Sequence, residues 1–402
     1  MNVPSSGFFS AVAHPLTRGL PLLFLIACTV ILPSCRQPSA RQAGAEYTGK
    51  DLYPVKVQVK YAKGFAVDYY TNYKVVHVFN GPQGHPDTLD YLLVQRGTPA
   101  PGNYPRARQI SIPLESMIGT SSMHVALTDF AASADILTGL ENLRYVSTPA
   151  VRENIAKGRV KEVGVEGNLN NELIVTMHPD MVMITENPET KFSKYQSLTD
   201  AGIPVLQNAE WMETTPLGQA EWVKLMAVLV NKEELVNQKF ARVEEEYNRL
   251  AALGQQSSRK PSVITGLPYK GTWFVPRGGS FFARFLEDAG TTYKWSAVQG
   301  TGNLALSFEA VAPEALKADY WLNTGDAVSG KDIAGRDNRY ADFRPFRTGH
   351  IYNNNNRMTD LGSNDYWESG AVHPELVLAD LISIFHPDLL AGHQLVYYKQ
   401  LQ

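Results

Sequence analysis

Residues 216–253 read PLGQAEWVKLMAVLVNKEELVNQKFARVEEEYNRLAAL, the longest helical pattern in the chain. Thr214 or Thr215 can cap its start, and Pro216 stands near the first turn, where proline is tolerated. Trp222, Leu225, Met226 and Leu229 recur at helical spacing. Asn231, followed three residues later by Glu234, reads as a fresh capping signal. A second stretch then runs to about Leu253, with Val236, Phe240, Val243, Tyr247 and Leu250 on one side. About 22 helical residues reach roughly 33 Å, long enough to run from one lobe to another. A plain surface helix would carry the same pattern, so the flanks must decide.

Both flanks alternate strands with helices, the signature of an α/β fold. Upstream, ESMIGTSSMHVALTDF predicts a strand, a Ser/Thr turn and a helix begun by Ser121 or Ser122. HPDMVMITEN (178–187) and DAGIPVLQN (200–208) predict buried strands. Downstream, SVITGLPY, GGSFFARFLEDAG and ADYWLNTG repeat the texture, and ESGAVHPELVLADLISIFHPDLL closes the chain with a helix. Ahead of all this, residues 55–95 alternate apolar and polar side chains and predict short strands in hairpins. The expected plan is two α/β lobes joined by a rigid helix. The N-terminal lobe spans 55–214, with a β-rich leading part over 55–105. The helical segment spans 215–257 and the C-terminal lobe 258–402.

The first 54 residues have another character. Arg18 is the only charge before position 35, and it precedes the thirteen-residue apolar run LPLLFLIACTVIL. A spanning helix needs about 20 apolar residues, so this run predicts a secretory signal peptide over 1–34. Cutting after Ser34 removes Cys28 and leaves Cys35, the second of two cysteines, at the new N-terminus. Leu32-Pro33-Ser34-Cys35 resembles the lipobox of bacterial lipoproteins, which implies lipid on Cys35, with 35–54 as a flexible tether. A secreted protein with a leftover thiol is the competing reading. The run after Cys35 is not acidic, so the expected location is the periplasm, anchored to a membrane through Cys35.

Hydrophobic residues at 44% and charged residues at 19% fit an ordinary globular core. Formal charge is -3, and no basic block exists, so nucleic acid is excluded as the expected partner.

The two halves echo one another. In NELIVTMHPDMVMITE and in FEAVAPEALKADYWLNTG, a Glu (172, 309) opens a helical pattern and an Asp (180, 319) introduces an apolar strand. An Asp there can cap the incoming backbone, whereas a lone Glu is ordinarily a favourable charge at a helix start. With PLESMIGTSSMHVALTDF, LTDAGIPVL, the long helix and HPELVLADLISIFHP, these elements form an ordered set over about 110–390. It resembles the periplasmic solute-binding proteins of the ABC importers for ferric siderophores, haem and cobalamin. The resemblance implies two α/β lobes on a helical backbone, a ligand held between them, and an ABC permease of the inner membrane as partner. It also gives Glu172 and Glu309 the role of docking carboxylates on the permease, where rim charges set encounter rate and register.

Open α/β sheets bind ligands at the carboxyl ends of their strands. The expected ligand-binding residues are Ser121 and Ser122, with Thr120, on the first lobe. On the second they are Trp273, Phe274, Arg277, Trp295, Arg339, Tyr352 and Arg357, with Trp367 a further candidate. Arginine forks and aromatic faces suit an anionic metal chelate such as a ferric siderophore, and suit haem or cobalamin nearly as well. Core packing is the competing role for each tryptophan. A bare metal site is disfavoured, because four of the histidines after the expected signal peptide sit in His-Pro pairs (85, 178, 373, 386) that read as element boundaries. No cofactor is expected. Catalysis is not expected either: PRGGS is too short to grip a phosphate, and a hydrolase built on Ser121 and His124 is the remaining enzyme alternative.

Overall fold

The computed structural model describes residues 47–80, 87–102, 108–165, 167–185 and 192–402. Cys35, the signal run and most of the tether lie outside them. Two five-stranded sheets form the framework. In the first lobe the spatial order is Val205–Asn208, Met181–Thr185, Met117–Gly119, Leu137–Leu140 and Lys161–Glu162, all parallel. In the second lobe it is Thr292–Tyr293, Ser262–Thr265, Tyr320–Leu322, Ile351–Asn353 and Lys399–Gln400, parallel except for the last. Central strands such as MVMI and YWL are buried on both faces, which is why they read as unbroken apolar runs.

Each lobe uses the same clasp at the amino ends of its two central strands. The Asp180 N–H donates to Ser116 Oγ at 2.9 Å, and the Ser116 N–H donates to Asp180 Oδ2 at 3.0 Å. In the second lobe the Asp319 N–H donates to Ser262 Oγ at 3.1 Å, and the Ser262 N–H donates to Asp319 Oδ2 at 2.8 Å. Arg96 pairs with Asp180 at 2.6 Å and Arg344 with Asp319 at 3.1 Å. The reciprocal bonds fix the registers Met117↔Met181 and Val263↔Tyr320. The expectation that these aspartates receive incoming backbone holds in both lobes.

Between the lobes the helical segment has three pieces. Pro216–Ala220 is capped by Thr215, whose Oγ1 accepts the Gly218 N–H at 3.0 Å. Val223–Val230 follows, and then Glu233–Gln256, whose 24 residues extend about 36 Å. Val236, Phe240, Val243, Tyr247 and Leu250 are all buried along it. Its early turns meet the first lobe, where Lys239 Nζ donates to the Phe130 carbonyl at 2.7 Å. Its later turns meet the second, where Tyr247 Oη donates to Asp288 Oδ2 at 2.7 Å.

Asn231 corrects the sequence reading. It does not cap the long helix; it ends the preceding one in the left-handed region, at φ 53°. Its side chain instead accepts from Lys74 Nζ at 2.7 Å and donates to Gln95 Oε1 at 2.8 Å. Those partners belong to the leading sheet, Phe65–Tyr69, Tyr73–Asn80, Asp87–Gln95 and Arg108–Ile112. Residues 55–61 are not part of that sheet, although they alternate. The N–H groups of Lys60, Tyr61 and Ala62 go to the buried carboxylate of Glu221, and those of Lys63 and Gly64 go to Glu213. Two acidic side chains do the work of a neighbouring strand.

Asp180→Ala and Asp319→Ala should each cost about 2–3 kcal/mol in urea unfolding, because each leaves buried or half-buried donors unpaired. A change below about 0.5 kcal/mol would make the clasp incidental to stability.

Candidate functional site

The carboxyl ends of the parallel strands in both lobes open onto one region. After Met117–Gly119 the chain turns through Thr120 and Ser121 into the helix Ser122–Phe130. Ser121 Oγ caps that helix by accepting the Met123 N–H at 3.2 Å. His124 pins the turn from beneath: Nδ1 accepts the Thr120 N–H at 3.0 Å, and Nε2 lies 3.1 Å from Thr185 Oγ1. Burial pushes its pKa down to about 3, so the ring is neutral. With the Ser121 hydroxyl capping a helix and both imidazole nitrogens engaged elsewhere, the two are not arranged as nucleophile and base.

In the second lobe, Gly266 follows Ser262–Thr265 at φ +80°, with the Phe274 carbonyl 3.0 Å from where a Cβ would sit. Trp273 Nε1 donates to the Thr265 carbonyl and Trp321 Nε1 to the Gly266 carbonyl, each at 2.8 Å. Two buried indoles therefore hold this loop in place.

A third element crosses between the lobes. The strap 357–372 leaves the second sheet and lies against the first lobe. Glu368 accepts the Ser147 N–H at 2.8 Å and the Thr148 N–H at 2.6 Å, at the start of the helix Pro149–Ala156. Ser147 and Ser363 hydroxyls meet at 2.7 Å, and Ser122 Oγ donates to the Trp367 carbonyl at 3.3 Å. Burial pushes the Glu368 carboxyl up to about 6.

Three neighbouring cavities of about 330, 280 and 370 Å³ occupy the space so enclosed. Trp367 lines all of them, while Trp211, Phe281 and Tyr366 line the second and third. Ser121 and Ser122 line the first and second, Thr120 the first, and Phe274 the third.

The other expected ligand-binding residues are placed elsewhere. Trp273 is fully buried against Trp321, Tyr340 and Phe343, and Trp295 is buried against Tyr293. Arg277 donates to the Gln299 carbonyl at 3.3 Å. The two glycines after it are there for close backbone passage, since a Cβ on Gly278 would stand 1.8 Å from the Ser296 carbonyl. Arg339 pairs with Asp337 at 2.6 Å and covers the Phe308 ring. Arg357 pairs with Asp365 at 3.1 Å, and Tyr352 sits in the second sheet beside Tyr320. None of these six lines the three cavities. Arg339 and Arg357 are held in ion pairs, whereas Arg277 uses one N–H on a carbonyl, between Pro276 and Ser280 of the third cavity's lining.

Sequence reasoning missed Glu210 and Trp211, which form a short turn directly after the strand Val205–Asn208. The strand-end rule would have found them. Among the described residues, the cavities take Glu141, Glu210 and Glu213 as their charged lining and no lysine or arginine. Glu213 is saturated by the N–H groups of Lys63 and Gly64 and by Trp222 Nε1. Glu210 is buried, and its Oε2 has no hydrogen-bond partner. Burial pushes its carboxyl up to about 7, only partly offset by the N–H groups of residues 210 and 211. No group of three or more His, Cys, Asp or Glu among the described residues could hold a metal ion.

The sequence profile of the periplasmic binding protein family matches residues 127–358, more than half of the chain. The protein belongs to that family. An uncharacterized lipoprotein of Methanocaldococcus jannaschii is 24% identical over 368 residues, covering 85% of this chain and 84% of its own. A periplasmic haem binding protein from Pseudomonas aeruginosa is 14% identical with a TM-score of 0.53, covering 72% of this chain and 98% of its own. A triscatecholate siderophore binding protein from Bacillus subtilis is likewise 14% identical with a TM-score of 0.52, covering 70% of this chain and 96% of its own. Members of this family are solute-binding proteins, and the two lobes on a helical backbone are their fold.

Glu210 makes this periplasmic binding protein's stability depend on pH. The folded carboxyl holds its proton up to about pH 7, whereas the ordinary value is 4.5. The folded state binds the extra proton between those limits, so the Glu210 contribution to stability falls as pH rises through them. Glu210→Gln should therefore stabilise the protein at pH 8 by up to about 3 kcal/mol, and by under about 1 kcal/mol at pH 5. Urea unfolding at the two pH values reads this directly. Equal effects would mean that the carboxyl ionises normally.

Proposed function

We propose that this periplasmic binding protein is a lipid-anchored receptor that captures a metal chelate of the ferric-siderophore, haem or corrinoid kind and delivers it to an ABC permease. The observation that carries the reading is the position of Trp367. One exposed indole lines all three of the cavities described above, at the carboxyl ends of both sheets, where α/β proteins bind ligands. Flat aromatic faces suit large conjugated or amide-rich chelates. A lipid on Cys35 would hold the receptor beside its membrane and raise its effective concentration at the permease.

Glu172 and Glu309 keep their proposed docking role. Each lies exposed in the first turn of a helix that leads into a central strand of its lobe: Asn171–Met177 before Met181–Thr185, and Phe308–Ala315 before Tyr320–Leu322. Neither carboxylate takes part in an ion pair among the described residues, which leaves both open to a partner's arginines.

Four of the six tryptophans are buried, while Trp211 is 39% exposed and Trp367 57% exposed. Fluorescence quenching by ferric chelates or haemin should therefore shrink strongly in Trp211→Phe/Trp367→Phe, and persistence of the full signal would move the site away from these cavities. Glu172→Ala/Glu309→Ala should leave that affinity unchanged yet abolish chelate uptake by cells that depend on this receptor. Normal uptake would discard the docking role.

A further inference from the structure

The second cavity combines an apolar wall with one uncompensated acid. Trp211, Phe281, Phe285, Tyr366 and Trp367 line it, and among the described residues Glu210 is its only charged lining. Glu210 is 5% exposed, and its Oε2 is buried without a partner. A carboxylate so placed is unfavourable in the empty protein, because desolvation is not repaid by hydrogen bonds. The neighbouring acid cannot share the duty, since Glu213 already accepts two backbone N–H groups and an indole N–H. No lysine or arginine among the described residues lines any of the three cavities. What the site lacks, a bound molecule must bring.

We infer that Glu210 is the specificity-determining residue of the cleft and selects chelates that carry a positively charged or strongly hydrogen-donating arm, such as an ammonium group, over anionic chelates. The arm would place its cation against Glu210 Oε2. The ring faces of Trp211 and Trp367 would add cation–π attraction. Above about pH 7, where Glu210 is ionised, an anionic triscatecholate or a carboxylate-bearing porphyrin would meet a carboxylate without a counter-ion and be disfavoured. This inference rests on the receptor reading above and refines its ligand class.

The test is tryptophan quenching of the full chain by three probes: ferrioxamine B, a ferric trihydroxamate ending in an ammonium group; its N-acetylated, uncharged form; and ferric enterobactin, a triscatecholate trianion. Ferrioxamine B should bind at least tenfold more tightly than its acetylated form, and the trianion more weakly than either. Glu210→Gln should bring the affinities for the charged and acetylated probes together, and Glu210→Asp should retain most of the preference. Thermal melts confirm that both variants are folded. Equal affinity for charged and acetylated probes, a tighter trianion, or an unchanged preference in folded Glu210→Gln would each overturn the inference while leaving the receptor reading intact. Absence of quenching by all three probes and by haemin would overturn both.

Discussion

The amine of Lys74 never meets water, and the arrangement of both lobes depends on where it is held. It reaches from the leading sheet to the Val228 carbonyl at 2.8 Å, to Asn231 Oδ1 at 2.7 Å and to the Glu233 carboxylate. Burial pulls its pKa down to about 8, with Glu233 opposing the fall, so at neutral pH it remains mostly charged. A buried pair of this kind adds little net stability against an apolar replacement, but it tolerates few alternative geometries. Its position decides its importance. Glu233 begins the long helix, so the pair ties the start of that helix to the leading sheet of the first lobe.

Carboxylates serve as structural partners throughout this region. Glu221 and Glu213 receive the backbone of 60–64, Asp180 and Asp319 receive incoming strands, and Asp380 receives the N–H groups of Val396, Tyr397 and Tyr398. A carboxylate accepting two or three backbone N–H groups satisfies donors that would otherwise be buried unpaired, and so ties those segments to its own element. The clasps at Asp180 and Asp319 help strands of only two to five residues keep register within both sheets.

Periodicity made the helical strut and its five buried side chains legible, and the likeness between 171–186 and 308–325 disclosed the paired aspartates. The misreadings share one cause. Residues 55–61 alternate as a strand would, but alternation does not say whether the partner is a strand or a carboxylate. Asn231 carries a capping signature, yet its side chain is taken by Lys74 and Gln95, residues more than 130 positions away. Arg277, Arg339 and Arg357 have the composition of a cleft, and only the fold shows a partner beside each. Topology puts Ser121, Ser122 and Phe274 at strand ends, and there they line the cavities. Glu210 and Trp211 were open to the same rule but lacked the look of an arginine-rich loop.

The strap that carries Trp367 has a mechanical consequence. It belongs to the second lobe by chain order but is sewn to the first through Glu368 and Ser363. The long helix and the strap thus join the lobes at separate places, so shifting one lobe against the other must work against both junctions, and the indole stands at the second of them.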